Sequence, residues 1–163
     1  PVALALKPKP KSLDPQSNTL ALDRVQDPGN VGTLIRSAVA FGFNHIILSP
    51  ECADIWNPKT IRSTQGALFD SNLCIYQDVV LSENLKSKNS FSLVLNEASQ
   101  ALDTLKDPAP LVLVVGNEGQ GVSLEVQKIT KPLYIPIKSG VESLNASIAG
   151  SIAMQHVFAS HVL

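Results

Sequence analysis

The sequence predicts an α/β domain built on a mostly parallel sheet flanked by helices. Three observations carry this expectation. Short β-rich runs alternate with helical stretches along the chain. Several of those runs are continuously apolar, LVLVVG at 111–116 above all, as strands buried on both faces are. The polar, glycine-bearing segments come directly after strands, where open parallel sheets hold their ligands.

Strands are expected at 19–25 (TLALDRV), 45–49 (HIILS), 73–76 (LCIY), 91–96 (FSLVLN), 111–116 and 132–137 (PLYIPI). A first helix over 31–41 places Leu34, Ala38 and Phe41 on one face and closes at Gly42. A second, 58–68, opens with Pro58 behind Asn57 as its cap. Shorter helices are expected at 79–88 and at 123–129, the latter with Ser123 as a possible cap. The longest runs from about Ser143 to the C-terminus. There Leu144, Ile148 and Ile152 recur at i, i+4, while Ala146, Ala149, Gly150 and Ala153 are small, which suits tight packing or a subunit interface. Residues 1–18 alternate Lys with Pro and read as an extended linker from an upstream domain, leaving 19–163 as a single domain.

A chain of 163 residues can build a proper hydrophobic core, and 44% hydrophobic with 17% charged residues describes an ordinary globular composition. The apolar runs are too short to span a bilayer. Thirteen Lys and Arg against 14 Asp and Glu give a net charge of −1, with no basic excess to hold a nucleic-acid backbone. Any such contact is therefore local or supplied by another segment. Cys52 and Cys74 stand alone, without a second ligand at metal spacing, and read as reduced thiols of a cytosolic protein. His45, His156 and His161 lack partners at catalytic spacing, and Trp56 reads as a core or loop anchor. Arg24, Lys59 and Arg62 read equally as a basic patch or as solvated surface.

Three loops hold more chemistry than connection requires. In DPGNVGTLIR (27–36), Asp27, Pro28 and Gly29 make a turn, Asn30 is placed to cap a helix, and Arg36 follows one and a half turns on. Taken alone this reads first as a turn, a cap and a surface arginine. GNEGQGVS (116–123) has the glycine order G-x-x-G-x-G, neither a dinucleotide fingerprint nor a phosphate loop. It offers exposed backbone groups and one carboxylate, Glu118. In IPIKSGVESLNASIAG (135–150), Glu142, Ser143 and Asn145 surround the apolar Leu144, a mixture that suits an adenosine site, and Ser143 is the favoured helix cap.

Together the three loops resemble the SpoU/TrmH family of SPOUT methyltransferases. The first family motif is matched by Asn30, Gly32 and Arg36. The second is matched by Gly116, Asn117, Glu118, Gly121 and Ser123, and the third by Ile135, Pro136, Glu142, Ser143, Leu144, Asn145 and Ser147. Residues 57–69 (NPKTIRSTQGALF) also look like the family's intervening helix. The resemblance covers 19–163. Its departures are small: Val122 replaces a Leu or Ile-like residue, and Lys138 with Ser139 fills a variable loop.

The resemblance implies a deep C-terminal trefoil knot, S-adenosylmethionine as cofactor, and an obligate homodimer with sites at its interface. Its product would be a 2′-O-methylated RNA ribose. By analogy the cofactor would meet Asn96, Glu97, Ala98, Gly116, Asn117, Glu118, Gly119, Ile135, Pro136, Ser143, Leu144 and Asn145. Catalysis would fall to Asn30, Arg36, Glu118, Ser143 and Asn145, with Glu118 orienting Arg36 or the dimer loop. No metal is implied. The linker points to rRNA rather than tRNA as substrate. A binding-only relative would be expected to lack Asn30, Arg36 or Asn145, and all three are present. An ordinary dinucleotide-binding domain would need a glycine fingerprint that DRVQDPGN does not supply.

Overall fold

The computed structural model describes residues 16–70, 72–86, 89–106 and 110–162. Its strands are β1 (Thr19–Asp23), β2 (His45–Leu48), β3 (Cys74–Tyr76), β4 (Ser90–Leu93), β5 (Gln100–Ala101), β6 (Val112–Gly116) and β7 (Lys131–Tyr134). They form one sheet in the order β3-β2-β1-β6-β4-β7-β5, with every pairing parallel. The helices are α1 (Pro28–Ala40), α2 (Pro58–Ser63), α3 (Leu81–Asn84), α4 (Leu124–Gln127) and α5 (Ala146–Val162).

The pleat sends alternate side chains to opposite faces, and each face has its own core. Leu20, Leu22, Leu113 and Val115 meet Leu34 and Ile35 of α1 and Met154 and Val157 of α5. Ala21, Val112 and Val114 point the other way, onto Leu81 and Leu85 around α3 and Val126 of α4. Strands β1, β2 and β6 are buried along their whole length, which is why their centres (LAL, IIL and VLVV) are apolar on both faces, with Thr19, Asp23 and His45 as buried polar ends.

The expected small-residue packing of the last helix has a definite partner. A Cβ added at Gly150 would collide with Leu34 and come within 3.0 Å of Val115 Cγ2, so α5 lies close on α1 and β6. Ser37 and Ser151 hydroxyls meet across the same seam at 2.7 Å. Gly32 does the equivalent for α2, since an added Cβ would lie 2.6 Å from the Thr60 carbonyl oxygen.

Several element boundaries differ from the sequence expectation, each for a local reason. Strand 19–25 stops at Asp23 because Arg24 takes a left-handed conformation, φ 58°. Helix α1 begins at Pro28, and its cap is Asp27, whose Oδ1 accepts from the Asn30 amide at 2.9 Å; Asn30 sits inside the helix rather than capping it. Its C-terminal glycine is as expected, Gly42 at φ 73°. The helix expected over 58–68 breaks after Ser63, where Gln65 and Gly66 are left-handed (φ 50° and 91°), and resumes as a 3₁₀ turn, Ala67–Phe69. Asn57 does cap it, accepting from Lys59 N at 2.9 Å.

Ser123 flanks α4 but makes no side-chain cap bond. Asn145, not Ser143, caps α5: its Oδ1 accepts from the amides of Ser147 (2.9 Å) and Ile148 (3.2 Å). Strand β5 and the 3₁₀ turn Leu102–Thr104 behind it carry too short a pattern to be anticipated. Residues 1–15 of the expected linker, residues 87 and 88 of the helix expected at 79–88, and the side chain of His161 lie outside the described residues.

Candidate active site

All strands are parallel, so their carboxyl ends share one edge, and the loops after β1, β4, β6 and β7 rise from it. Asp23 lies opposite Gly116 in the register of β1 and β6, which puts the first two motif loops side by side. The third arrives from β7, two strands away.

A relay of side chains joins the three. Glu118 Oε1 accepts from Asn30 Nδ2 at 2.8 Å. Asn145 Nδ2 donates to Asn30 Oδ1 at 3.1 Å. Asn145 Oδ1 accepts from Ser147 Oγ at 2.7 Å besides capping α5. Glu118 also faces the amides of Gln26 and Asp27 at 3.4 Å each. Within the chain Glu118 is bonded to Asn30, and no hydrogen bond or ion pair joins it to Arg36 among the described residues.

Partial loss of water around Glu118 raises its carboxyl pKa, but the hydrogen bonds from the Asn30 side chain and neighbouring amides outweigh this and hold it below the usual carboxylate range. Asp27 is lowered too, first by the hydrogen bond from Lys59 Nζ at 2.9 Å and then by the Asn30 amide. Lys59 is thus engaged with the α1 cap rather than free for a ligand.

The second loop is pinned tightly. Asn117 Oδ1 accepts from the Gly119 and Gln120 amides at 2.9 Å each, and Asn117 and Gly121 exchange backbone bonds. A Cβ at Gly116 would run into the backbone of Gly121 and Val122, so only glycine allows the turn to fold back. Asn117 Nδ2 donates to the Arg24 carbonyl at 2.9 Å, tying this loop to the end of β1.

Beside the relay lies a cleft of two lobes that share Leu93, Ser143, Leu144 and Ala149. The larger, about 480 Å³, is walled by Leu93–Leu95, Leu133–Ile137, Glu142, Ser143 and Leu144. The smaller, about 300 Å³, is walled by Val115–Gly119, Gly121, Ser143, Leu144 and Ala146. A mostly apolar lobe joined to a more polar one, in this volume range, suits a nucleoside-sized ligand.

Of the candidate cofactor residues, Gly116, Asn117, Glu118, Gly119, Ile135, Pro136, Ser143 and Leu144 line this cleft. Asn96, Glu97 and Ala98 sit just past its β4 wall in a turn closed by Ser99, whose Oγ accepts from Asn96 N at 2.9 Å. Asn145 lines neither lobe and takes part in the relay. Sequence reasoning missed Leu93, Val94 and Leu95 as lining residues; as plain strand-end aliphatics they carry no polar signal. Arg36 is exposed on α1 and lines neither lobe, and its side chain makes no hydrogen bond or ion pair among the described residues.

The remaining polar residues are accounted for locally. Cys74 is buried and Cys52 half-buried, both free thiols. His45 is buried in β2, and His156 Nε2 meets the Leu105 carbonyl at 3.2 Å. Trp56 packs against the main core, as expected of an anchor. Among the described residues there is no cluster of His, Cys, Asp and Glu that could hold a metal, and no helix long and apolar enough to cross a membrane.

Comparison with known proteins agrees with the motif pattern. The chain is 36% identical over 144 residues to the 23S rRNA (guanosine(2553)-2′-O)-methyltransferase of Bacillus subtilis, a match covering 85% of this chain and 56% of that protein. Among solved structures, the AdoMet-bound rRNA methyltransferase from Sinorhizobium meliloti superposes with a TM-score of 0.81 at 32% identity, over 93% of this chain and 59% of that one. The A. aeolicus TrmH/SpoU tRNA modifying enzyme gives a TM-score of 0.76 at 25% identity, over 91% and 77%. The chain spans about half the length of the curated relatives it matches. Residues 17–155 match the SpoU rRNA Methylase family, and the chain belongs to that family.

Proposed function

We propose that this domain transfers a methyl group from S-adenosylmethionine to a ribose 2′-hydroxyl of RNA, with rRNA as the substrate. The observation that carries the reading is the relay Asn145–Asn30–Glu118, which locks three distant motif loops together beside a nucleoside-sized cleft.

The cleft fits the cofactor on its own chemistry. Leu93, Ile135 and Leu144 offer an aliphatic surface to an adenine, and the Gly116–Gly119 turn and Ser143 offer polar groups to a ribose. When bound, S-adenosylmethionine supplies an electrophilic methyl on a positively charged sulfur. The protein's share is to hold a ribose oxygen in line with it, and alignment of this kind lowers a barrier by roughly 7 kcal/mol or more when geometry is ideal. The role of the Arg36 guanidinium is electrostatic: it stabilises charge developing on the ribose oxygen and holds a neighbouring phosphate. Asn30, held at both ends, and Ser143 at the cleft rim position the nucleophile.

Arg36 lies outside the cleft of its own chain, which supports a homodimer in which it serves the partner's cleft. The exposed apolar residues Ile148 (52% exposed), Ile152 and Phe158 on α5 support the same reading. The strand order supports the knot: β7 enters between β4 and β5 after the chain has already left for β6, and α5 then returns to α1 and β6. The near-neutral charge leaves little long-range attraction for RNA, so much of the RNA affinity is assigned to surfaces beyond this domain.

A tRNA substrate is the second reading, favoured by the likeness to the A. aeolicus enzyme. The test is transfer of tritiated methyl from S-adenosylmethionine to purified rRNA and to tRNA in parallel. Label in rRNA is expected; label in tRNA alone replaces the substrate, and label in neither with no cofactor binding overturns the reading.

A further inference from the structure

Arg24 was open to reading as part of a basic surface patch. The structure uses it otherwise. Its backbone is left-handed at φ 58°, a conformation that strains a residue with a Cβ and needs a compensating contact. The contacts are all to fixed protein groups. The amide donates to Ser49 Oγ at 2.8 Å, at the end of β2. The carbonyl accepts from Asn117 Nδ2 at 2.9 Å. The guanidinium reaches across to the second motif loop, where Nη1 donates to Gln120 Oε1 at 2.9 Å and Nη2 to the Gly121 carbonyl at 3.4 Å. Nε leans on Asp23 Oδ1 at 3.3 Å, while the other oxygen of Asp23 accepts from the Ser123 amide at 2.6 Å. Asp23 is 3% exposed, so the base of this bracket is rigid.

The bracket spans the loop that carries Glu118. Glu118 is held by Asn30, Gln26 and Asp27 on one side, while residues 120–123 are held by Arg24 and Asp23 on the other. Only Gly119 lies between these anchors, and the Asn117 side chain holds its amide and that of Gln120, so the loop has little freedom left. We propose that Arg24 is a positioning residue for the site: it sets the 116–121 loop in the conformation that walls the smaller cleft lobe and presents Glu118 to Asn30. It touches neither lobe itself. The functional consequence rests on the proposed methyl transfer; the tether itself does not.

The local geometry supplies a variant that separates tether from fold. Arg24→Gly keeps the left-handed backbone, and favours it, while removing the guanidinium. Hydrogen exchange at the Gly119, Gln120 and Gly121 amides of the ligand-free protein reads the tether directly. It is expected to quicken by about tenfold in Arg24→Gly, the scale of a charge-assisted bond discounted for exposure, with the melting temperature held or raised. The Kd for S-adenosylmethionine is expected to rise about five- to tenfold by the same measure, and Arg24→Lys to recover part of it, since an ammonium reaches one partner but not the fork.

Gln120→Ala combined with Arg24→Gly is expected to be no worse than Arg24→Gly alone, because both remove the same contact. Unchanged exchange in Arg24→Gly overturns the tether. Quickened exchange with unchanged cofactor Kd overturns the positioning role. Failure of the unmutated protein to bind S-adenosylmethionine rejects the functional reading and leaves the exchange result standing.

Discussion

Asn145 carries two duties that a pair of substitutions can pull apart. Its Oδ1 caps α5 through the Ser147 and Ile148 amides, and its Nδ2 donates to Asn30, linking the third motif to the first. Asn145→Ala removes both. Loss of the cap costs about 1 kcal/mol, and the hydrogen bond to Asn30, at the surface, about 0.5 kcal/mol. For a domain of this size about 1.5 kcal/mol lowers the melting temperature by roughly 3–6 °C.

Asn145→Asp keeps an acceptor on the α5 amides and places a negative charge at a helix N-terminus, where it is favoured. It cannot donate to Asn30 Oδ1, so the relay breaks at one of its two links while the helix keeps its cap. The expected result is a melting temperature within about 2 °C of wild type with methyl transfer reduced about tenfold or more, the loss of one well-placed bond near the reacting centre. The assays are thermal unfolding by circular dichroism and initial rates of methyl transfer to RNA. If Asn145→Asp loses as much stability as Asn145→Ala, the cap assignment is wrong. If it retains full activity, the relay has no part in the chemistry.

Three further outcomes follow from the geometry. Arg36→Ala is expected to abolish methyl transfer with the cofactor Kd changed by less than about threefold, measured by calorimetry, because its assigned contacts are to the ribose oxygen and a phosphate of the RNA and not to the cofactor; near-normal turnover would remove its electrostatic role. Gly32→Ala gains about 1 kcal/mol of helix propensity but forces a carbon to 2.6 Å from the Thr60 carbonyl oxygen. Overpacking of about 1–3 kcal/mol is expected to win, so its urea midpoint should fall; a rise would mean that α2 yields freely.

The pH dependence is the third. Asp27 and Glu118 both have lowered folded-state pKa values, so the stability they contribute is fully present above the unfolded carboxylate range near pH 4. It is lost as pH falls through the lowered values, because the unfolded chain takes up protons first. Asp27→Asn is expected to flatten the fall in stability below about pH 4; an unchanged acid limb would show that the Lys59 pair contributes nothing.

The fold class was legible because its signals are local and strong. The apolar run of β6 and the apolar centre of β1 come from burial on both faces, and alternation with helices predicts the parallel sheet that the structure has. Boundaries were less legible where a single residue's backbone decides them. Nothing in IRSTQG announces that Gln65 will be left-handed and stop α2, nor in LDRV that Arg24 will stop β1.

The candidate site was legible as a set of loops but not as a network. Asn30 and Glu118 are 88 residues apart and Asn30 and Asn145 are 115 apart, so their pairing exists only once the strand order is known. The capping roles moved for the same kind of reason. Ser143 and Asn30 are good cap residues by type, but Asn145 and Asp27 hold the positions from which an oxygen reaches the first free amides. The aliphatic wall at Leu93–Leu95 was invisible, since apolar residues at a strand end look the same whether they face core or ligand.

The most direct test of the account is nucleoside mass spectrometry of RNA incubated with the protein and S-adenosylmethionine carrying a deuterated methyl. One deuterated 2′-O-methylated nucleotide is expected in rRNA, absent when Arg36→Ala replaces the wild type. Deuterium on a base, or a ribose product undiminished in Arg36→Ala, would contradict it.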